Sequence, residues 1–205
     1  MIALLDYGAG NIRSVQKALE RAGAQVQLVR DPGQLRGAAA AVLPGVGAFD
    51  DCIHSMQRQE LFHAALQFIQ TGKPFLGICV GYQALFERSE EFNSCAAGLG
   101  LFTGRVVRFA GGHLKVPHIG WNQVEVLRPG CPVLKGIESG AYFYFVHSYF
   151  PQPQDPTLAL TRTTYGATFA SAIWKDNVFA TQFHPEKSQQ TGLRLLENFV
   201  ALSRG

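Results

Sequence analysis

The chain has 205 residues, of which 47% are hydrophobic, and it carries a formal net charge of +3. A chain of this length and composition can bury one sizeable core, so we predict a single domain over residues 1–205. The charge is small and the Lys and Arg residues form no long basic run, which argues against nucleic-acid binding. No apolar stretch approaches the ~20 residues of a membrane span and no signal peptide is visible, so we expect a cytoplasmic protein without membrane association.

The cysteines Cys52, Cys79, Cys95 and Cys131 form no C-x-x-C pair. Zinc sites and dithiol redox centres usually need that spacing, so we predict no metal and no other cofactor. Reduced thiols are the rule in the cytoplasm, which fits the expected location. Cys79 differs from the other three in its surroundings, whereas the others are interpreted as structural.

The first half of the chain alternates strand and helix signals. Short apolar runs predict strands, and apolar residues at helical spacing predict the helices between them. The predicted strands are Ile2–Leu5, Gln25–Val29, Ala39–Leu43 and Pro74–Ile78, and the predicted helices are Asn11–Ala22, Phe49–Ile69 and Val80–Arg88. This order is typical of a parallel sheet covered by helices on both faces.

After about residue 98, strand-like segments follow one another with short turns. A hairpin turn is predicted at Asp176-Asn177, and Pro151, Pro153 and Pro156 indicate a loop. A final helix should bury Leu193, Leu196 and Phe199 or Val200 on one face. The predicted strands are Leu101–Phe109, Trp121–Leu127, Tyr142–Val146, Leu158–Thr164, Thr168–Trp174 and Val178–Phe183, and the final helix is about Ser188–Leu202. The whole pattern predicts an α/β fold with a mostly parallel central sheet and an antiparallel extension.

Cys79 lies in the run Gly77-Ile78-Cys79-Val80-Gly81, between an apolar strand and a helical pattern. A strand, a tight turn with glycine on both sides and a helix make the geometry of a nucleophile elbow. The N-terminus of the following helix carries a partial positive charge, which favours thiolate over thiol. Cys79 is therefore a candidate nucleophile, and the alternative is a buried structural thiol.

His184-Pro185-Glu186 supplies a candidate base and a candidate orienting carboxylate. Pro185 favours an extended backbone at His184, and residues i and i+2 of an extended chain point the same way. Glu186 can then bind the second ring nitrogen of His184 and fix its tautomer. We predict a Cys-His-Glu triad, and the alternative for His-Pro-Glu is an ordinary turn at a strand end.

Acyl transfer also needs donors for the developing oxyanion. The backbone N–H of Val80, directly after the nucleophile, is one candidate. The backbone at Val46 and Gly47, in the run Pro44–Gly47 after another parallel-type strand, is the second. Taken alone, this glycine-rich run favours a tight turn without a ligand. His118 and His147 are weaker signals that gain interest only from their sequence neighbours.

The pairing of Gly77–Gln83 with His184–Glu186 resembles the class I, triad-type glutamine amidotransferases. Four further runs narrow the resemblance to the glutaminase subunits of imidazole glycerol phosphate synthase in histidine biosynthesis. These runs are Asp6–Asn11, Pro44–Gly47, Pro117–Asn122 and Tyr144–Tyr149. The resemblance implies a flavodoxin-like three-layer sandwich. It also implies that Cys79 forms a γ-glutamyl thioester, with His184 as acid and base and Glu186 orienting it.

The same resemblance implies which residues hold glutamine and the partner. The glutamine-holding positions would be Gln83, Glu91, His147, Ser148 and Tyr149. The partner would be a (β/α)8-barrel cyclase subunit that forms a heterodimer with this chain and receives its ammonia. Asn11, Trp121 and Lys187 are expected on the docking surface, with packing or a solvated charge as the alternatives for the last two.

Three other functions remain open on sequence grounds. The glutaminase subunit of pyridoxal phosphate synthase shares the elbow and the His-Pro-Glu pattern. A stand-alone cysteine hydrolase or peptidase could also use the same sheet, and a non-catalytic binding module is the least favoured alternative because the triad is intact.

Overall fold

The structure is a computed structural model that describes residues 1–8, 11–110 and 114–204. Ala9 and Gly10, within the predicted Asp6–Asn11 run, lie outside the described residues. The helices are α1 (Ile12–Arg21), α2 (Phe49–Arg58), α3 (Leu61–Gln70), α4 (Val80–Gln83) and α5 (Gln189–Leu202). The strands are β1 (Ile2–Leu5), β2 (Val26–Val29), β3 (Ala40–Leu43), β4 (Phe75–Ile78), β5 (Phe86–Ser89), β6 (Phe102–Arg108), β7 (His118–Gln123), β8 (Glu125–Val126), β9 (Tyr142–His147), β10 (Tyr149–Pro153), β11 (Ala159–Tyr165), β12 (Ala167–Lys175) and β13 (Val178–Thr181).

The central sheet has eight strands in the order β2-β1-β3-β4-β13-β12-β11-β8. Its first five strands are parallel, and β12, β11 and β8 continue it in antiparallel pairing. Strands β1, β3, β4 and β13 are buried throughout, as strands covered on both faces must be. Helix α1 packs on α5, and α2 packs on α3 and α4. The α/β fold, with its mostly parallel sheet and antiparallel extension, is confirmed.

The second half of the chain also builds two small sheets that the sequence prediction did not separate from the extension. One has the order β10-β6-β5, and the other pairs β7 with β9. The predicted strand Trp121–Leu127 is therefore wrong as one element, because β7 pairs with β9 while β8 pairs with β11. The predicted proline loop is wrong as well, because Pro151 and Pro153 lie in β10. That strand is at a sheet edge, where a residue without an N–H is tolerated.

Two predicted helices differ from the structure. The Phe49–Ile69 pattern is two helices, because Glu60 adopts a left-handed backbone with φ of 58° between α2 and α3. The helix predicted from Val80 to Arg88 ends at Gln83 as the four-residue α4, and the chain turns into β5 to pair with β6. In α5, the buried face includes Leu195 and Leu196, while Leu193 is only half-buried.

Candidate active site

Cys79 sits at a strained turn between β4 and α4, with φ of 54° and ψ of −109°. Three glycines allow this turn to pack closely. A Cβ at Gly81 would overlap the Leu43 carbonyl oxygen, and a Cβ at Gly45 would lie 2.5 Å from the Gly81 nitrogen. A Cβ at Gly77 would lie 2.8 Å from the Gly81 oxygen. The end of β3 and the turn at Cys79 are thus held against each other, as a nucleophile elbow requires.

The His-Pro-Glu segment follows β13, the parallel neighbour of β4. The Nδ1 atom of His184 lies 2.7 Å from Oε1 of Glu186, and both side chains are buried. The predicted contact between these two residues is present. Its geometry differs from the prediction, because only His184 is extended and Pro185–Lys187 form a short 3₁₀ turn. The hydroxyl of Ser188 closes this turn by donating to the His184 carbonyl at 2.6 Å.

The other ring nitrogen of His184, Nε2, is buried without a hydrogen-bond partner among the described residues. Burial alone would lower the pKa of His184. The closeness of a negatively charged Cys79 sulfur, together with the Glu186 carboxylate, outweighs burial and raises the pKa of His184 to about 10. The imidazole is therefore protonated at neutral pH when Cys79 is charged, which is the arrangement of a thiolate–imidazolium pair.

A cavity of about 390 Å³ opens in front of Cys79 and His184. The predicted oxyanion and glutamine-holding positions line this cavity together with the nucleophile and its base, while Glu186 lies behind His184. The lining residues are Val46, Gly47, Cys79, Val80, Gln83, Glu91, Pro117, Val146, His147, Ser148, Tyr149, His184 and Lys187. Residues distant in sequence therefore converge on one site of a size suited to a small substrate.

The predicted glutamine-holding side chains differ in how much they are already engaged. The amide nitrogen of Gln83 donates to the Tyr149 carbonyl at 3.0 Å, and Oε2 of Glu91 accepts from the Phe49 N–H at 2.7 Å. Burial raises the pKa of Glu91, and nearby acidic residues add to the shift, while the Phe49 N–H opposes it. His147 is buried and engaged on both ring nitrogens, so it supports the cavity wall rather than offering a free polar atom.

The run Pro44–Gly47 is anchored at one end and unconstrained at the other. The buried hydroxyl of Tyr7 donates to the Pro44 carbonyl at 2.8 Å, and Gly45 is clasped against the elbow. Gly47 has φ of 95° and open space around its Cα. The peptides of Val46 and Gly47 therefore have the freedom to turn an N–H toward the cavity.

The predicted docking residues lie in three places. Trp121 is 45% exposed on β7, next to Tyr144 on β9. Lys187 lines the cavity mouth with its ammonium 5.9 Å from the Tyr144 ring centre. Asn11 is exposed at the start of α1 and accepts from the Ser14 hydroxyl at 2.6 Å, away from the cavity lining.

Sequence reasoning missed two residues that contact this machinery. One is Tyr7, the anchor of Pro44. The other is Gln182, which is fully buried and points its amide nitrogen at the Cys79 sulfur at 3.7 Å. Gln182 stands two residues before His184, so the alternation of an extended chain could have indicated it.

Across residues 1–8, 11–110 and 114–204, no cluster of His, Cys, Asp or Glu has the arrangement of a metal site. Within the same ranges, no helix is long and apolar enough to cross a membrane.

Comparison with known proteins identifies the family. The model of the family described as glutamine amidotransferase class-I matches residues 3–202. The chain belongs to the class-I glutamine amidotransferase family. It is 49% identical to imidazole glycerol phosphate synthase subunit HisH of Syntrophotalea carbinolica, over 97% of this chain and 98% of that protein. It is 50% identical to the HisH subunit of Acinetobacter baylyi, over 97% of each chain. This glutamine amidotransferase is therefore HisH-like within its family.

Solved structures agree on the fold. A structure described as a glutamine amidotransferase has a TM-score of 0.77 at 21% identity, covering 100% of this chain and 99% of that one. The PurLQS structure from Thermotoga maritima has a TM-score of 0.78 at 19% identity, covering 98% and 97%. At this identity the likeness concerns the fold alone.

Proposed function

We propose that this chain is the glutaminase subunit of imidazole glycerol phosphate synthase. It hydrolyses glutamine to glutamate and ammonia and supplies the ammonia to a (β/α)8-barrel cyclase subunit. That cyclase forms imidazole glycerol phosphate and aminoimidazole carboxamide ribonucleotide in histidine biosynthesis. The observation that supports this most directly is the cavity in front of Cys79 and His184, in a chain close to half identical to HisH subunits.

The first half of the reaction makes the thioester. Cys79 attacks the side-chain amide carbon of glutamine, and the developing oxyanion accepts hydrogen bonds from backbone N–H groups of Val80 and of Val46 or Gly47. The N–H groups at the start of a helix have no partner inside the helix, so that of Val80 is available. Protonated His184 then gives its proton to the departing nitrogen, and ammonia leaves as the C–N bond breaks.

The second half of the reaction uses the same histidine as a base. Once the sulfur is acylated it no longer carries a negative charge. The largest influence that raises the pKa of His184 is then gone, and burial lowers the pKa again. Neutral His184 can then take a proton from the attacking water, and glutamate is released as the thioester breaks. Glu186 keeps the ring oriented through both steps.

Glutamine would be held by the cavity wall formed by Gln83, Glu91 and the segment His147–Tyr149. Glu91 offers a carboxylate for the α-amino group, and its second oxygen is not occupied by the Phe49 N–H. Ser148 adds a hydroxyl at the cavity surface. This assignment of roles makes the carboxylate of Glu91 the charge-selective part of the site.

The partner surface would include Lys187, which lines the cavity, Trp121 on β7 and Asn11 at the start of α1. Exposed Ile119 and Tyr142 extend the apolar part of this surface along β7 and β9. Aromatic residues are favoured anchors in interfaces. A direct passage to the partner is needed because ammonia in water at neutral pH takes up a proton and stops being a nucleophile.

We also infer that residues 1–205 form one glutaminase domain that acts in the cytoplasm. The described cysteines are all free, which fits a reducing compartment.

Glutamate release tests this function. The purified chain is incubated with glutamine alone, with the cyclase subunit, and with the cyclase subunit plus its nucleotide ligand. We expect low activity alone and a sharp rise in the third condition. A rise of this kind would couple two distinct sites and meet the definition of allostery.

The Cys79→Ala variant is the control for the chemistry. It should lose glutamine hydrolysis in all three conditions and still bind the cyclase subunit. Retained hydrolysis would end the proposal. Equal activity of the unmodified chain in all three conditions would keep the glutaminase and remove the cyclase partner, and turnover of peptides without glutamine turnover would favour a stand-alone hydrolase.

A further inference from the structure

Two buried histidines face each other across the small β7–β9 sheet. His118 and His147 are direct cross-strand partners, and Nδ1 of His118 lies 3.0 Å from Nε2 of His147. Both side chains are buried, at 3% and 5% exposure. The reaction proposed above gives no role to the ring nitrogens of either histidine. Burying such polar atoms costs free energy of folding unless each one is hydrogen-bonded.

The surroundings fix the direction of every hydrogen bond in this cluster. The Tyr149 carbonyl, 2.9 Å from Nδ1 of His147, can only accept, so Nδ1 must carry the proton. In a neutral ring Nε2 of His147 then accepts, and Nδ1 of His118 donates to it. Nε2 of His118 must in turn accept, and the Asn122 amide nitrogen stands 3.2 Å away as its donor. The second proton of that amide goes to the Thr164 carbonyl at 3.1 Å.

Aromatic rings enclose the two histidines. His118 is stacked between Tyr165 and Phe145, with ring centres 4.0 and 4.8 Å away. Phe109 and Phe169 both lie 5.2 Å from His147. Burial in this cage lowers the pKa of His118 to about 4 and that of His147 to about 3. Both rings are thus neutral at physiological pH, and each neutral ring has one donor and one acceptor.

The hydrogen bonds continue from the histidines to the nucleophile. The Tyr149 carbonyl accepts from the Gln83 amide at 3.0 Å as well as from His147. The Gln83 amide nitrogen also lies 3.3 Å from the Gln182 side-chain oxygen, and Gln182 donates to the Cys79 sulfur at 3.7 Å. One connected set of hydrogen bonds therefore runs from Asn122, on the β7 edge, to Cys79 at the cavity.

We propose that Asn122, His118 and His147 form a one-directional hydrogen-bond relay that holds the Tyr149 carbonyl and, through it, the wall of the cavity that receives glutamine. His118 and Asn122 are positioning residues, because neither lines the cavity. The role in glutamine binding rests on the proposed function. The direction of the relay does not, since it follows from the donors and acceptors alone.

Asn122→Asp replaces the donor at the start of the relay with an acceptor, and the side-chain volume is almost unchanged. The carboxylate can only accept, so both histidines must move their protons to the opposite nitrogen, or a ring must become charged inside the aromatic cage. In the first case Nδ1 of His147 loses its proton and faces the Tyr149 carbonyl as a second acceptor. We expect the KM for glutamine of the complex with the cyclase subunit to rise about tenfold, with kcat changed less than about threefold.

Two variants serve as controls. Asn122→Ala removes the first donor without reversing the relay, so its KM should rise less than that of Asn122→Asp. Asn198→Asp is matched in chemistry, since Asn198 also donates its amide to two backbone carbonyls, those of Val133 and Lys135 at 3.0 and 2.8 Å. Asn198 is not part of the cavity lining. The KM of the Asn198→Asp complex should therefore stay within about twofold of the KM of the unchanged complex.

Nitrogen NMR of the labelled chain reads the relay directly. Both His118 and His147 should carry the proton on Nδ1 in the unchanged protein, and Asn122→Asp should move it. His118→Phe, which keeps the ring stack and removes both nitrogens, provides a second variant and should also raise KM.

Protons on Nε2 in the unchanged chain would overturn the relay. So would an unchanged KM in both Asn122→Asp and His118→Phe, or an equal rise in Asn198→Asp. A chain that hydrolyses no glutamine would refute the proposed function, and the NMR result would still decide the direction of the relay.

Discussion

Glu186 contacts one ring nitrogen of His184, Nδ1. A substitution that replaces one carboxylate oxygen isolates the effect of its charge. Glu186→Gln keeps an oxygen that can accept from Nδ1 of His184 but removes the negative charge. We expect the pKa of His184 to fall below its value of about 10. Because the variant lacks a charged partner, and because its amide can also turn an NH₂ group toward the ring, kcat for glutamine should fall about 10²- to 10⁴-fold. An NMR titration of His184 together with steady-state kinetics measures both, and an unchanged pKa would contradict the role given to Glu186.

Tyr7 acts on the oxyanion run through one hydrogen bond. Tyr7→Phe leaves the buried Pro44 carbonyl without its donor, so we expect a loss of about 1–3 kcal/mol in the free energy of unfolding. Without this hydrogen bond the run Pro44–Gly47 is held less firmly. Because its backbone N–H groups act on the oxyanion, we expect kcat to fall about tenfold and KM to change less.

Tyr82→Phe is the matched control for this substitution. The Tyr82 hydroxyl also donates to a carbonyl, that of Ala170 at 3.2 Å, away from the oxyanion run. It should lose stability without the loss of kcat. Equal kcat values for the two variants would show that Tyr7 is only a packing residue.

At the scale of elements, the site depends on how closely β3 approaches the turn before α4. Gly81→Ala places a methyl group against the Leu43 carbonyl, and backbone cannot yield as a flexible side chain can. We expect a loss of about 3 kcal/mol or more in unfolding free energy, or a failure to fold. Gly130→Ala is the control, because its Cβ would have open space and its φ is unexceptional. Urea unfolding of both variants measures the difference, and similar curves would contradict the close packing of β3 on this turn.

The sequence predicts elements well where one local pattern determines them. The strands around the elbow and the last helix are close to their predicted bounds, because buried parallel strands and an amphipathic helix have strong local patterns. The predictions that failed depend on partners distant in the chain. The segment Phe86–Ser89 is a strand because β6 lies beside it. Glu60 has a left-handed backbone and divides α2 from α3, but no glycine or proline stands beside it in the sequence to indicate a break.

For the whole molecule, the candidate site was easier to predict than its supports. Cys79, His184 and Glu186 are recognisable because their chemistry requires particular residue types at particular spacings. Tyr7, His118 and Asn122 support that site through hydrogen bonds to residues 37, 29 and 42 positions away in the chain. No local pattern encodes such contacts, so they become visible only when the topology places β1 beside β3 and brings β7, β9 and β11 together.

The buried histidines also make the stability of the whole molecule depend on acid. An unfolded histidine takes up a proton near pH 6.5, whereas His118 and His147 stay neutral in the fold until about pH 4 and 3. Between these limits the unfolded chain binds more protons, so the stability that the neutral rings contribute is present above pH 6.5 and is lost as the pH falls. Each histidine should add about 1.4 kcal/mol per pH unit to the slope of the unfolding free energy against pH.

His118→Phe keeps the aromatic stack and removes one such group, so its unfolding free energy should fall less than that of the unchanged chain between pH 6.5 and 4. Urea unfolding across this range tests the difference, and parallel curves for the two proteins would mean that His118 is already charged in the fold.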